Sequence, residues 1–227
     1  MRVPDYPMSD QEMWTNVDSY FSQVLCPSDD ILDATLTANA KAGMPAHDVS
    51  ATQGKLLALF VQMLQAQRVL EIGTLGGYST IWMARKLRTG GKIVTIEADQ
   101  HHAEVALENL KKAAVSDLVD LHIGAALDVL PTLEAPFDLI FIDADKKNNP
   151  EYLQWALKLS RPGTVIIADN IVRGGGVINS DSEDINVQGV RKYFEMVKND
   201  PRLDATAIQT VGEKGWDGFS MAIVNSL

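Results

Sequence analysis

From Arg68 onward, short apolar runs alternate with amphipathic stretches, and this alternation restricts the chain to few architectures. It predicts strands at Val69–Ile72, Ile93–Ile96, Leu118–Ile123, Leu139–Ile142 and Val165–Ala168, with helices at Thr80–Leu87, Ala103–Ala114, Ala126–Leu130 and Glu151–Leu159. Strands buried on both faces read as continuous β-branched runs, and helical crossovers join parallel neighbours, so the expected fold is a doubly wound, mostly parallel α/β sheet. The ending differs. After a last long helix at Tyr193–Val197, the segments Ala205–Val211 and Phe219–Val224 are joined by a connection too short for a parallel crossover. An antiparallel C-terminal strand should therefore close the sheet. Before Arg68 no strand is expected. Asp10 to Leu64 reads as three helices, broken at Cys26-Pro27-Ser28 and at Ala42-Gly43-Met44-Pro45. Proline removes a donor at the first break, and glycine permits a left-handed stop at the second. Ser50 and Gln53 are spaced as a capping box for the third helix, whose Leu56, Leu57, Leu59, Phe60, Met63 and Leu64 form a broad apolar face.

Composition narrows the partners. The 227 residues are 46% hydrophobic, enough for a full core, so one domain over 1–227 is expected, with 1–65 a helical cover and 66–227 the α/β core. A net charge of -10 repels phosphate backbones, and the nearest basic clusters, Lys111-Lys112 and Lys146-Lys147, are only dipeptides. No nucleic-acid partner is expected, and a small neutral acceptor is favoured over a polyanion. Cys26 is the single cysteine, so no internal disulfide can form, and with four scattered histidines it makes no Cys/His zinc site. No apolar leader and no apolar run long enough to span a bilayer is found, which predicts a cytoplasmic protein without a membrane partner.

The segment Val69–Thr80 reads as a strand, a glycine-rich turn and a helix start. Its Gly73-x-x-Gly76-Gly77 spacing is not the Gly-x-Gly-x-x-Gly of a pyrophosphate cradle, which favours a nucleoside without pyrophosphate. Glu97 lies 20 residues after Gly77, at the end of the second strand, where such sheets place a carboxylate for ribose hydroxyls. Asp99 is better explained as a helix cap. Asp143 and Asp169 end neighbouring strands, and Asn170 adds an amide oxygen; this all-oxygen set suits Mg²⁺, Mn²⁺ or Ca²⁺. Consecutive strand residues face opposite ways, so Asp169 and Asn170 share a cation only where the strand has already turned. Position alone equally allows an Asx turn at Asp169-Asn170 and a helix cap at Asp143. Lys146, in the same loop as Asp143, is placed to accept a proton, whereas Lys147 reads as solvated.

Together the run Val69–Leu87, the strand end Ile96-Glu97-Ala98-Asp99, Phe141–Lys146 and Ala168-Asp169-Asn170 resemble the cation-dependent S-adenosylmethionine O-methyltransferases, the catechol and caffeoyl-coenzyme A group and their bacterial relatives. The resemblance covers nearly the whole chain and implies a Rossmann-like class I methyltransferase fold. It implies that Val49, Glu71, Gly73 and Ser79 line the methionine end of the cofactor, that Glu97 holds its ribose and that Ala126 borders its adenine. It further implies Asp143, Asp169 and Asn170 as ligands of a divalent cation, Asp143 also bordering the cofactor, Lys146 as general base, and a homodimer. Asp145 matches the caffeoyl type and receives no ligand role.

The expected activity is methyl transfer to one hydroxyl of a small vicinal-diol aromatic. The other readings are a nicotinamide oxidoreductase, which the glycine spacing opposes, and a non-catalytic S-adenosylmethionine sensor, which Lys146 opposes. The polar loop Ile171–Asp184 reads as a mobile rim. It carries Arg173 and glycines where plant caffeoyl-type enzymes have a tryptophan, and Val211 stands near the position of a further acidic residue of the catechol enzymes. Trp216 reads either as an acceptor stack or as core packing. Met8, Met13 and Trp14 read as helix-to-core contacts that can also cover the pocket. His47 reads as a residue of the site mouth, and His101, His102 and His122 as solvent or packing residues.

Overall fold

A computed structural model describes residues 9–26 and 29–226. Met8 and the break at Pro27 lie outside the described residues. Three helices come first: α1 (Gln11–Leu25), α2 (Asp30–Lys41) and α3 (Ala51–Met63). Then follow β1 (Arg68–Ile72), α4 (Tyr78–Ala84), β2 (Lys92–Glu97), α5 (Gln100–Lys112), β3 (Val119–Ile123), α6 (Ala126–Val129) and β4 (Leu139–Ile142). The chain ends with α7 (Asn149–Lys158), β5 (Val165–Asp169), α8 (Ile185–Asn199), β6 (Leu203–Gly212) and β7 (Gly215–Val224).

All strands form one sheet in the order β3-β2-β1-β4-β5-β7-β6. Neighbours among β1 to β5 are parallel, and β7 runs antiparallel to both β5 and β6. β7 is therefore inserted between β5 and β6. The strand predictions hold to within a few residues, except that Leu118 sits in a short 3-10 turn before β3. The expected last helix is longer than its apolar periodicity suggests, because the Asp184 side chain caps the Asn186 amide and starts α8 at Ile185.

Two apolar clusters cover the two faces of the sheet. Val69, Leu139, Phe141 and Ile167 face one side with Leu32, Leu57 and Val61 of α2 and α3, so residues of the N-terminal cover belong to the same cluster as the sheet. Leu70, Ile140 and Ile166 face the other side with Tyr152, Leu153 and Tyr193 of α7 and α8. This alternation follows from the pleat, which sends successive side chains to opposite faces. The broad face expected on α3 is divided: Leu57 is buried, whereas Leu59 and Met63 are exposed. Core packing of α1 is not seen either. None of its residues is buried, and Met13, Tyr20, Phe21, Val24 and Leu25 are exposed. Instead α1 grips the β6–β7 hairpin: Gln11 Nε2 donates to Gly212 O at 2.9 Å, and Glu213 N donates to Asp18 Oδ2 at 2.9 Å. Among the described residues no helix is long and apolar enough to cross a membrane.

Candidate active site

A cleft of about 760 Å³ lies at the C-terminal ends of β1 and β4. At this point the chain order reverses, with β2 and β3 on one side of β1 and β4 and β5 on the other. Doubly wound sheets leave a ligand crevice there, because consecutive crossovers depart in opposite directions. Val49, Gly73, Ser79, Glu97, Ala126, Asp143, Lys146, Asp169 and Asn170 all line the cleft. Local sequence alone separates them by more than a hundred residues, and the sheet order unites them.

The glycine loop forms one wall. Gly73 has φ +101°, and a Cβ on it would lie 2.2 Å from the carbonyl oxygen of Asp143, so glycine is what lets the loop pass the end of β4. From behind, Asn109 Nδ2 donates to Gly76 O and to Asn39 Oδ1, both at 2.9 Å, while Asn39 Nδ2 donates to Asp48 Oδ1 at 2.8 Å. Glu97 joins this loop to β2: its Oε2 accepts from Leu75 N at 2.7 Å and its Oε1 from Asp99 N at 3.0 Å. Asp99 is the cap that its position predicts, accepting from the amides of His101 and His102. His102 itself differs from expectation. It lines the cleft, with Nδ1 3.7 Å from Glu97 Oε1, because the first turn of α5 follows directly from the end of β2.

Glu71 is not among the lining residues. It is fully buried, and its carboxylate accepts from Ser79 Oγ at 2.6 Å, Thr80 Oγ1 at 2.5 Å and Thr95 Oγ1 at 2.7 Å. Ser79 stands between it and the cleft, so Glu71 acts on the cleft by fixing the first turn of α4. Burial raises its pKa from 4.5 to about 7, against the three hydroxyl donors that favour the anion. Between these values the folded state binds the proton more tightly than the unfolded state, so stability falls as pH rises from about 4.5 to 7. Glu71→Gln should flatten that part of the profile, worth roughly 3–4 kcal/mol at most. Thermal midpoints of chelated protein between pH 5 and 8 measure it, and equal slopes in wild type and variant would refute the assignment.

The opposite wall comes from the ends of β4 and β5. Asp143 follows β4 directly and does not cap a helix; its Oδ1 accepts from Lys146 Nζ at 2.9 Å. Lys146 is only 6% exposed, whereas Lys147 faces solvent. Gly189 of α8 packs so tightly on this loop that a Cβ would lie 2.2 Å from Lys146 O, which fixes the lysine's backbone. Asp145 is engaged elsewhere, accepting from Tyr152 Oη at 2.5 Å and Asn148 Nδ2 at 2.6 Å. Asp169 is buried, with Asn170 N donating to Oδ1 at 2.8 Å and Gln53 Nε2 to Oδ2 at 2.6 Å. The strand has turned by Asn170, whose φ is +54°, and both Asp169 and Asn170 line the cleft. Burial, and then the charge of Asp143, push Asp169 up to about 7.

Gln53 was not expected here. Ser50 Oγ accepts from Gln53 N at 3.2 Å, which is half of the capping box, but the glutamine side chain reaches Asp169 instead of turning back. His47 lines the cleft as anticipated; Asp217, Lys214 and Asn186 line it without a sequence signal. Trp216 is not among the lining residues: it is 45% exposed, beside Gly175, with Nε1 donating to Gln209 Oε1 at 2.9 Å. In the rim loop, Arg173–Ile178 form a 3-10 turn kinked at Gly174 and Gly175, tied down where Arg191 Nη1 donates to Val177 O at 2.6 Å.

The sheet order, the antiparallel β7 and the cleft at the β1/β4 reversal define a class I methyltransferase fold. A family model described as O-methyltransferase matches residues 25–220. The chain is 51% identical over 218 residues to the catechol O-methyltransferase of Mycobacterium tuberculosis, covering 96% of this chain and 99% of that protein. It also superposes on the Bacillus cereus O-methyltransferase in complex with SAH, with a TM-score of 0.94, 56% identity and coverage of 95% of this chain and 100% of that one. The O-methyltransferase TomG of Streptomyces achromogenes, in complex with SAM, gives a TM-score of 0.94 at 50% identity, covering 96% and 100% of the two chains. The chain belongs to the O-methyltransferase family, and this enzyme class displaces both the oxidoreductase and the sensor readings.

Proposed function

We propose that the enzyme transfers the methyl group of S-adenosylmethionine to one hydroxyl of a small aromatic vicinal diol, assisted by a divalent cation. The observation that carries this is the meeting of Asp143, Asp169, Asn170 and Lys146 across the cleft from the glycine loop and Glu97. The donor set fits a cation. Two carboxylates at neighbouring strand ends share one nearby ammonium group, and Asp169 is hard to ionise without further positive charge. All three ligands offer oxygen, which favours Mg²⁺, with Mn²⁺ and Ca²⁺ as alternatives. When bound, such a cation supplies orientation of the diol and a lower pKa for the attacking hydroxyl.

The chain's own residues do the rest. Glu97, with lone pairs left on both oxygens, accepts from the ribose hydroxyls; Val49, Gly73 and Ser79 seat the methionine part, and Ala126 borders the adenine. Asp143 holds Lys146 Nζ in place, and Lys146, once in its neutral amine form, takes the phenolic proton on its nitrogen lone pair. The phenolate oxygen then forms its bond to the methyl carbon as the carbon–sulfur bond breaks, and the electron pair stays on sulfur. Preorganised alignment is the main service, because the sulfonium methyl is already electrophilic.

The test is methyl transfer to a panel of catechols and matched monophenols: diols should be methylated and monophenols not. Transfer to none of the diols would sink the reading. The shared core of the cover and the sheet supports one catalytic domain over 1–227. The exposed apolar side of α1 supports a homodimer, which a single-chain mass by light scattering would contradict.

A further inference from the structure

We propose that Arg173 reads a carboxylate on the aromatic acceptor and so selects which vicinal diols the enzyme takes. This rests on the diol-methylation reading and narrows it. Sheet order divides the cleft into two halves. The ends of β1, β2 and β3 supply Gly73, Glu97 and Gly124, on the side assigned to the cofactor. The ends of β4 and β5 and the β6–β7 hairpin supply Asp143, Asp169, Arg173 and Lys214, which leaves this half for the acceptor.

Three observations single out Arg173 there. It lines the cleft three residues after Asn170, and its Nε is buried with no hydrogen-bond partner. Among the described residues the arginines in ion pairs are Arg85, Arg161 and Arg202, and Arg173 is not one of them. Its backbone is left-handed, with φ +54°, immediately before Gly174 and Gly175, which have φ +60° and +86°. A fourth glycine in that run would relieve the strain, so the sequence keeps a side chain where the backbone disfavours one.

Of the lysines that line the cleft, Lys146 donates to Asp143, whereas Lys214 is at the turn of the β6–β7 hairpin and not on the rim loop that carries Arg173. Asp217 of the hairpin, which also lines the cleft, uses Oδ1 to accept from Val172 N at 2.9 Å. An unpaired guanidinium in a partly closed cleft is matched best by a planar anion that accepts two parallel N–H bonds, which is a carboxylate. The net charge of -10, which favours a neutral acceptor over a polyanion at long range, is screened over about 10 Å, whereas Arg173 acts on a single carboxylate at contact.

The experiment compares 3,4-dihydroxybenzoate with its neutral amide, 3,4-dihydroxybenzamide. Wild type should favour the acid by about tenfold in kcat/KM, Arg173→Gln should bring the ratio near unity, and Arg173→Lys should restore part of it. An unchanged ratio in Arg173→Gln overturns the proposal. The same pair is titrated calorimetrically into protein loaded with S-adenosylhomocysteine and Mg²⁺. If neither compound is methylated, the diol reading fails, yet tighter binding of the acid in wild type alone still supports Arg173, and equal binding overturns it. A fall in S-adenosylhomocysteine affinity in Arg173→Gln, with the acceptor ratio kept, would assign the arginine to the cofactor's own carboxylate and also overturn the proposal.

Discussion

Asp169→Ala is expected to reduce methyl transfer by roughly 10³-fold or more, while S-adenosylhomocysteine still binds with near wild-type affinity. The magnitude follows from the several kcal/mol that a bound cation contributes to the developing charge, at a factor of ten per 1.4 kcal/mol or so. The separation of the two effects follows from position. Asp169 ends β5 and meets Gln53 and Asn170, whereas the cofactor half of the cleft is built from the glycine loop, Glu97 and the β3 end. Calorimetric titration with S-adenosylhomocysteine beside a turnover assay makes the comparison. Equal loss of binding and turnover would mean that Asp169 is structural.

Lys146→Met is the second large effect. General base assistance is typically worth about 10²- to 10⁴-fold, so turnover should fall in that range. The residual rate should climb with pH, as the acceptor ionises without help. The variant should also lose stability in chelator, because Asp143 is left without the ammonium group that now lies 2.9 Å from it. Added Mg²⁺ should restore most of that loss. A rate loss below tenfold, or a pH profile like that of wild type, would remove Lys146 from the proton transfer.

The parts of this site legible in the sequence are those whose local chemistry is self-sufficient. Buried parallel strands announce themselves as β-branched runs, and Gly73, Glu97, Asp143 and Asp169 sit at predictable ends of them. Helical crossovers implied parallel neighbours and the short final connection implied an antiparallel pair, but the order, with β7 set between β5 and β6, follows from neither. What stayed hidden depended on contacts distant in sequence. Gln53 fits a local capping pattern, yet its side chain is drawn 116 positions along the chain to Asp169, because a buried carboxylate needs donors more than a helix end does. Glu71 is a wall residue only by what the family resemblance implies, and the pleat turns it into the interior among three hydroxyls. Lys214 and Asp217 reach the cleft on a hairpin that pairs with β5 and is held by α1, and nothing in their immediate sequence encodes those contacts. The apolar residues of α1 suggested packing against the core, since periodicity reports an apolar side and not what covers it.

The most direct test of cation-assisted methyl transfer is to strip the protein with EDTA and follow both S-adenosylhomocysteine binding and catechol methylation before and after Mg²⁺ is returned. The expected result is binding throughout, with methylation nearly absent in EDTA and restored by Mg²⁺; methylation at the full rate in EDTA would contradict it.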